Sequence, residues 1–213
     1  METVTFSEKN SYTDFGLILS QKEIGEAVPR TNYVDVPARD GALDLTEAFG
    51  EVKYNNRTHV FTFSYIGHAK DWLATVSAVT NYINGKKHKI FIEANYYWIG
   101  RCTVKPAASQ RGIREIIIEC DCEPYKYRLQ DTVIEISSVA TITNDRKTVT
   151  PKITVLSGTP TLNWTDKRTG TIYNLALPST YDNKALDFKL YEGANTLTVS
   201  GGNIRLTYRE GSL

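Results

Sequence analysis

The segment Tyr33-Val-Asp-Val-Pro-Ala-Arg-Asp-Gly-Ala-Leu-Asp-Leu45 alternates hydrophobic and polar residues on both sides of a turn built from Pro37, Asp40 and Gly41. Pro37 fixes its own φ and pushes Val36 toward extended geometry, and Gly41 supplies a positive φ after Asp40. The physics of the segment reads as a β-turn between two strands, Asn32–Val36 and Leu43–Leu45.

Outward from this turn, Thr, Val, Ile and Tyr recur in short runs bounded by Asn, Gly, Asp and Pro, the signature of a mainly β protein. Thr3–Phe6 and Asp14–Leu19 precede it as strand candidates; Arg57–Tyr65, Lys89–Ala94, Tyr96–Pro106 and Gly112–Cys122 follow. In Arg57–Tyr65 the alternation is clean, with Val60 set apart from Phe61, Phe63 and Tyr65. One helix interrupts the pattern. Between Ala69 and Asn84, Trp72, Leu73, Val76, Val79, Tyr82 and Ile83 fall at helical spacing. Asn84-Gly85 supplies a left-handed stop, and Lys86-Lys87 place cations at the carboxyl end. The helix should pack on a sheet, with Trp72 as a core anchor.

A boundary near Pro124-Tyr125-Lys126-Tyr127 separates residues 1–130 from 131–213. The second part reads as seven short strands: Thr132–Thr143, Lys152–Leu156, Thr161–Trp164, Thr169–Leu177, Ala185–Leu190, Asn195–Ser200 and Asn203–Arg209. Turns such as Asn144-Asp145, Ser157-Gly158, Glu192-Gly193 and Gly201-Gly202 space them regularly, as in an antiparallel sandwich.

Composition narrows the function. The chain has 213 residues, a net charge of +1 and 41% hydrophobic residues, as in ordinary globular proteins. Residues 1–130 carry 16 basic and 16 acidic side chains, and 131–213 carry 9 and 8. A protein whose main partner is nucleic acid shows a basic excess, so no stable nucleic-acid binding is expected. No apolar run is long enough for a membrane span, and the start lacks a signal-peptide pattern, so neither membrane insertion nor Sec-type export is expected. Cys102, Cys120 and Cys122 are an odd count, which argues against a disulfide framework. Cys120 and Cys122 share a strand face with Ile116 and Ile118 and read as small core residues; Glu119, Asp121 and Glu123 take the opposite, solvated face. With only His59, His68 and His88 to add, no metal-ligand spacing emerges.

Beyond its physics, the order Val34-Asp35-Val36-Pro37-Ala38-Arg39-Asp40-Gly41-Ala42-Leu43-Asp44-Leu45-Thr46 resembles a segment of the distal tail proteins of phages with long, non-contractile tails. Ala38 stands where that pattern has glycine. Asp14–Leu19, Lys53–Arg57 with the strand to Gly67, Trp72 on the helix, Gly85-Lys86, Tyr96–Arg101, Glu192–Asn195 and Ser200–Ile204 follow in the same order. The resemblance implies an N-terminal β-sandwich-like domain with one α-helix, residues 1–130. Six copies of it would close into a ring, with two stacked rings as a variant. A C-terminal galectin-like antiparallel β-sandwich, residues 131–213, would follow. It also implies a place at the virion tail tip, after synthesis in the host cytoplasm, and partners in the tail tube protein and a tail-tip or tail-lysin protein. The ring would leave a channel for DNA.

The turn residues Pro37, Arg39, Asp40 and Gly41, with the polar hairpin Gly50–Arg57, are then candidates for subunit contact, against the plainer reading of a solvent-exposed loop. Enzyme chemistry finds no support: no nucleophile with a positioned base, no phosphate loop and no cofactor pattern stands out. The rival is a carbohydrate-binding module, with Trp164 as a candidate stacking platform for host-surface glycans. A galectin's sugar site needs histidine, and residues 131–213 contain none.

Overall fold

The computed structural model describes residues 2–48, 50–108 and 114–213. The chain divides into two compact units, 1–126 and 127–213. The first contains β1 (Thr5–Phe6), β2 (Lys9–Asn10), β3 (Leu17–Ile24), β4 (Tyr33–Val34), β5 (Leu43–Asp44) and β6 (Arg57–Tyr65). Then come helix α1 (Trp72–Ile83), entered by a 3₁₀ turn at Ala69–Asp71, and β7 (Lys87–Phe91), β8 (Tyr96–Ala108) and β9 (Arg114–Cys122). The first two residues expected in β9, Gly112 and Ile113, lie outside the described residues.

Seven of these strands form one sheet in the order β2-β1-β7-β8-β9-β6-β3. Their ladders are antiparallel. Four ladders separate β1 from β6, which in a flat sheet would be roughly 19 Å. Yet the Phe6 ring lies 6.1 Å from that of Phe61 and 6.4 Å from that of Phe63. The sheet therefore curls until its ends meet around a shared core. Phe6, Phe61, Phe63, Ile116, Ile118 and the three thiols are all sealed from solvent there. Truncating either phenylalanine of β6 to alanine would cost about 3–5 kcal/mol.

Helix α1 sits where its period predicts. Val79 and Ile83 are buried, and Trp72, Val76 and Tyr82 are half-buried against the core. Trp72 packs on Tyr65 with ring centroids 5.5 Å apart. Leu73 is the exception, 74% exposed because it lies one position off the apolar stripe. Gly85, at φ +73°, ends the helix. Asn84 then accepts from the Val104 backbone N–H at 2.9 Å, tying the helix end to β8.

The second unit contains β10 (Lys126–Arg128, at the division), β11 (Thr132–Ile136), β12 (Val139–Asn144), β13 (Lys152–Thr165), β14 (Ile172–Ala176), β15 (Asp182–Lys184), β16 (Gly193–Tyr208) and β17 (Gly211–Ser212). It is built on two long strands, β13 and β16, that the sequence reads as four. The first half of β16 pairs with β12 and the second half of β13, which pairs with β14. The remaining halves pair with β11 and β15. Leu162, Trp164, Leu197 and Val199 from one layer and Ile136, Ile153, Ile204 and Leu206 from the other form one core, so the pair of strands bends over into a sandwich.

The bend explains the miscount. Ser157-Gly158 and Gly201-Gly202 are not loops but the two sides of a bulged crossing, with Gly158 opposite Gly202 and register shifts on either side. Gly158 and Gly201 have φ of +74° and +80°. A Cβ on Gly202 would run into the Ser157 carbonyl, and one on Gly158 into that of Gly201. Glycine is required here for space as well as for φ.

Two further expectations are corrected. Thr132–Thr143 is broken at Ser137-Ser138 into β11 and β12. Ala185–Leu190 forms no strand; a turn in which the Phe188 N–H donates to the Ala185 carbonyl breaks it, and only Leu190 bridges, to Val149. Phe188 and Leu190 are still buried, so the alternation reports burial without a ladder.

Candidate interaction arm and a buried polar cluster

Strands β3 and β6 are adjacent and paired up to Ile24 opposite His59. Residues 25–56 are thus an excursion between neighbouring strands. They carry their own ladder: Arg30 N–H donates to the Lys53 carbonyl at 2.7 Å, Asn55 N–H to Val28 at 2.9 Å, and Leu45 N–H to Asn32 at 2.8 Å. Among the described residues, β4 pairs only with β5. Side chains reinforce the hairpin. Thr46 Oγ1 accepts from the Asn32 N–H at 3.0 Å, and Asp44 accepts from the Thr46 N–H at 2.9 Å. Hydrogen bonds from the Thr46 side chain and backbone to Asp44 hold its carboxyl below its usual range.

No described residue of this arm is buried. Val28, Tyr33, Val34 and Val36 are 55%, 59%, 41% and 38% exposed. An isolated two-stranded hairpin is marginal in water, and an exposed strand edge invites pairing. The turn lies at residues 37–41, where Pro37, Arg39, Asp40 and Gly41 are all exposed. Gly41 has φ +72°, and Ala38 also adopts a left-handed backbone, φ +62°. The position where the resembling pattern has glycine is therefore one that favours glycine.

At the root of the arm the interior turns polar. Arg57 and His59 share the core face of β6 with Phe61 and Phe63, and are 8% and 0% exposed. The Gly25 N–H donates to His59 Nδ1 at 3.1 Å, which anchors the arm's first residue. Gly25 is obligatory, because a Cβ there would meet the Thr58 carbonyl. Burial, with Arg57 beside it, lowers the His59 pKa to about 4, so the ring is neutral. With Nδ1 accepting, the proton sits on Nε2.

The same end holds Trp98, whose ring centroid is 5.2 Å from that of His59 and 5.6 Å from the Arg57 guanidinium carbon. Cys122 lies opposite both Arg57 and Gly100, whose missing Cβ leaves room for its sulfur. Burial pushes the Cys122 thiol up to about 12. Cys102 and Cys120 face each other across β8 and β9 with sulfurs 2.6 Å apart, and that contact together with burial raises the Cys120 pKa strongly. These are inert core thiols. The sequence hinted at the cluster: Arg57-Thr-His59-Val-Phe61 alternates, so a buried Phe61 implies a buried His59 and Arg57.

Trp164 stands in the core of the second unit, 7% exposed. Tyr173 stacks parallel to it at 5.0 Å and Phe188 meets it edge-on at 5.1 Å. Beside it lies an open depression of 390 Å³, lined among others by Asn163, Thr165, Thr196 and Thr198. The four arm residues and Trp164 thus belong to different units.

No protein-family profile and no curated protein matches the sequence. A solved structure is similar in fold: the crystal structure of SPP1 Dit (gp 19.1), a paradigm of the hub adsorption apparatus in Gram-positive infecting phages. The two chains are 11% identical, align over 100% of each and superpose with a TM-score of 0.72. The chain therefore has, from end to end, the fold of a phage distal tail hub protein.

Proposed function

We propose that this chain is a structural hub of a phage tail tip, and not an enzyme. Residues 1–130 close as a hexameric ring between the tail tube and the host-adsorption apparatus, leaving a channel for DNA. Residues 131–213 form a galectin-like sandwich. The fold shared with SPP1 Dit supports this reading. The observation that carries it is the arm: a hairpin of β-formers, 25–56, without one buried described residue. In a closed ring one surface meets a different surface on the next copy, and a projecting arm supplies such a contact. Near-neutral charge suits a wall that lets DNA pass without holding it.

The test is light scattering and negative-stain microscopy of the purified full chain, alone and with the tail tube protein. Rings of six are expected, and a chain with residues 32–46 replaced by a short glycine linker should stay folded and monomeric. A wild-type chain that remains monomeric in both settings overturns the reading. The carbohydrate alternative rests on the depression beside Trp164. It predicts glycan-array binding lost on Thr196→Trp, which fills that depression.

A further inference from the structure

Four N–H groups at the arm's root lack an acceptor among the described residues: Arg57 Nε and Nη2, His59 Nε2 and Trp98 Nε1. All belong to side chains at least nine-tenths buried. They are also all donors, because the Gly25 hydrogen bond assigns the His59 proton to Nε2. The two on Arg57 share a permanent charge, and Arg57 forms no ion pair among the described residues. Glu93, whose charge reaches Arg57, is held by Lys126 Nζ at 3.3 Å from both of its carboxylate oxygens.

A buried charge without a partner costs several kcal/mol, and buried donors are nearly always satisfied. A cluster with donors only, one cationic, is complementary to one class of group. We propose that Arg57, with His59 and Trp98 beside it, is the receiving half of a carboxylate site. A guanidinium offers a carboxylate two parallel N–H donors, and the neutral imidazole and the indole add donors without adding charge. The carboxylate comes either from solution or from an acidic side chain of a second copy. The site stands on the geometry of the first unit; only the second-copy source rests on the ring reading.

The test follows the Arg57 Nε–H and Trp98 indole signals by NMR in the full chain. Sodium formate replaces sodium chloride at constant ionic strength. A soluble source predicts a saturable shift of both signals and a rise in Tm; the Trp98 shift and the Tm rise are kept in part by Arg57→Lys and lost in Arg57→Gln. A second-copy source predicts no response to formate. Instead, the same signals shift as the chain assembles, and Arg57→Gln weakens assembly at least tenfold while leaving the monomer's Tm unchanged or raised. If no assembly occurs, the ring reading fails, and formate alone decides the site. Signals that move in neither arm overturn the proposal. So does an Arg57 Nε–H signal displaced by Glu93→Gln in the free chain, which would show an internal partner.

Discussion

Two places in this protein use glycine to redirect paired strands, and they do so for different reasons. At the arm's tip, Gly41 has a positive φ and open space around its Cα. At the sandwich corner, Gly158 and Gly202 face each other with backbone where a side chain would go. The tip needs a conformation; the corner needs a conformation and a void. An exposed turn tolerates error because nothing packs on it. A crossing of two core strands does not, since both layers depend on its geometry.

The largest effect should come from the corner. Gly202→Ala places a methyl group against the Ser157 carbonyl, so β13 and β16 must part. A loss of about 3 kcal/mol or more is expected, read as a fall in the denaturation midpoint of the second unit. Gly41→Ala should cost only about 1 kcal/mol, from its backbone alone. Equal losses at the two sites would erase the distinction.

The arm's root gives the next effect. His59 has its folded pKa lowered from 6.5 to about 4, so the unfolded chain binds the extra proton first as pH falls. Its stabilising contribution is complete above about pH 6.5 and is lost between there and about pH 4, amounting to about 3 kcal/mol. His88, also lowered by burial, acts in the same direction. The second unit contains no histidine, and its lowered carboxyls, Asp166 and Asp182, begin to tell only near pH 4, so its stability should stay flat down to about pH 5. Urea melts at pH 7, 5.5 and 4, following Trp98 and Trp164 in single-tryptophan variants, check this. His59→Asn should flatten the response of the first unit.

Ala38→Gly is expected to stabilise the arm by less than about 1 kcal/mol, since relief of left-handed strain is partly offset by the freer unfolded glycine. Slower amide exchange at Arg39 would show it, because that N–H closes the turn onto Val36. Smallest of all, Arg39→Glu should change monomer stability by less than about 0.5 kcal/mol, as exposed substitutions do. Its effect should appear instead in ring assembly by light scattering, which separates a contact residue from a free loop.

How much was legible follows the same division. The helix was readable because a 3.6-residue period is a local property, and Val79 and Ile83 obey it. Cys120 and Cys122 could be placed beside Ile116 and Ile118 because a strand's two faces alternate. The corner was not readable: Gly201-Gly202 in a bulge and the same pair in a loop look alike until β13 lies opposite. Ala185–Leu190 failed for a related reason, since Phe188 and Leu190 are buried by packing without joining a ladder. The stacking of Trp164 on Tyr173, nine residues on, was not legible, because it depends on which strands pair.

The sequence by itself determined the mainly β character, the single helix, the alternation that sends Arg57 and His59 inward, and the turn at residues 37–41. All of these depend on residues a few positions apart. Only the tertiary structure decided that the first sheet curls until Phe6 meets Phe61, that Ser157-Gly158 and Gly201-Gly202 cross as one corner, and that no described residue of the arm is buried. Those outcomes depend on which distant strands pair, and pairing is settled by the core that all of them bury together.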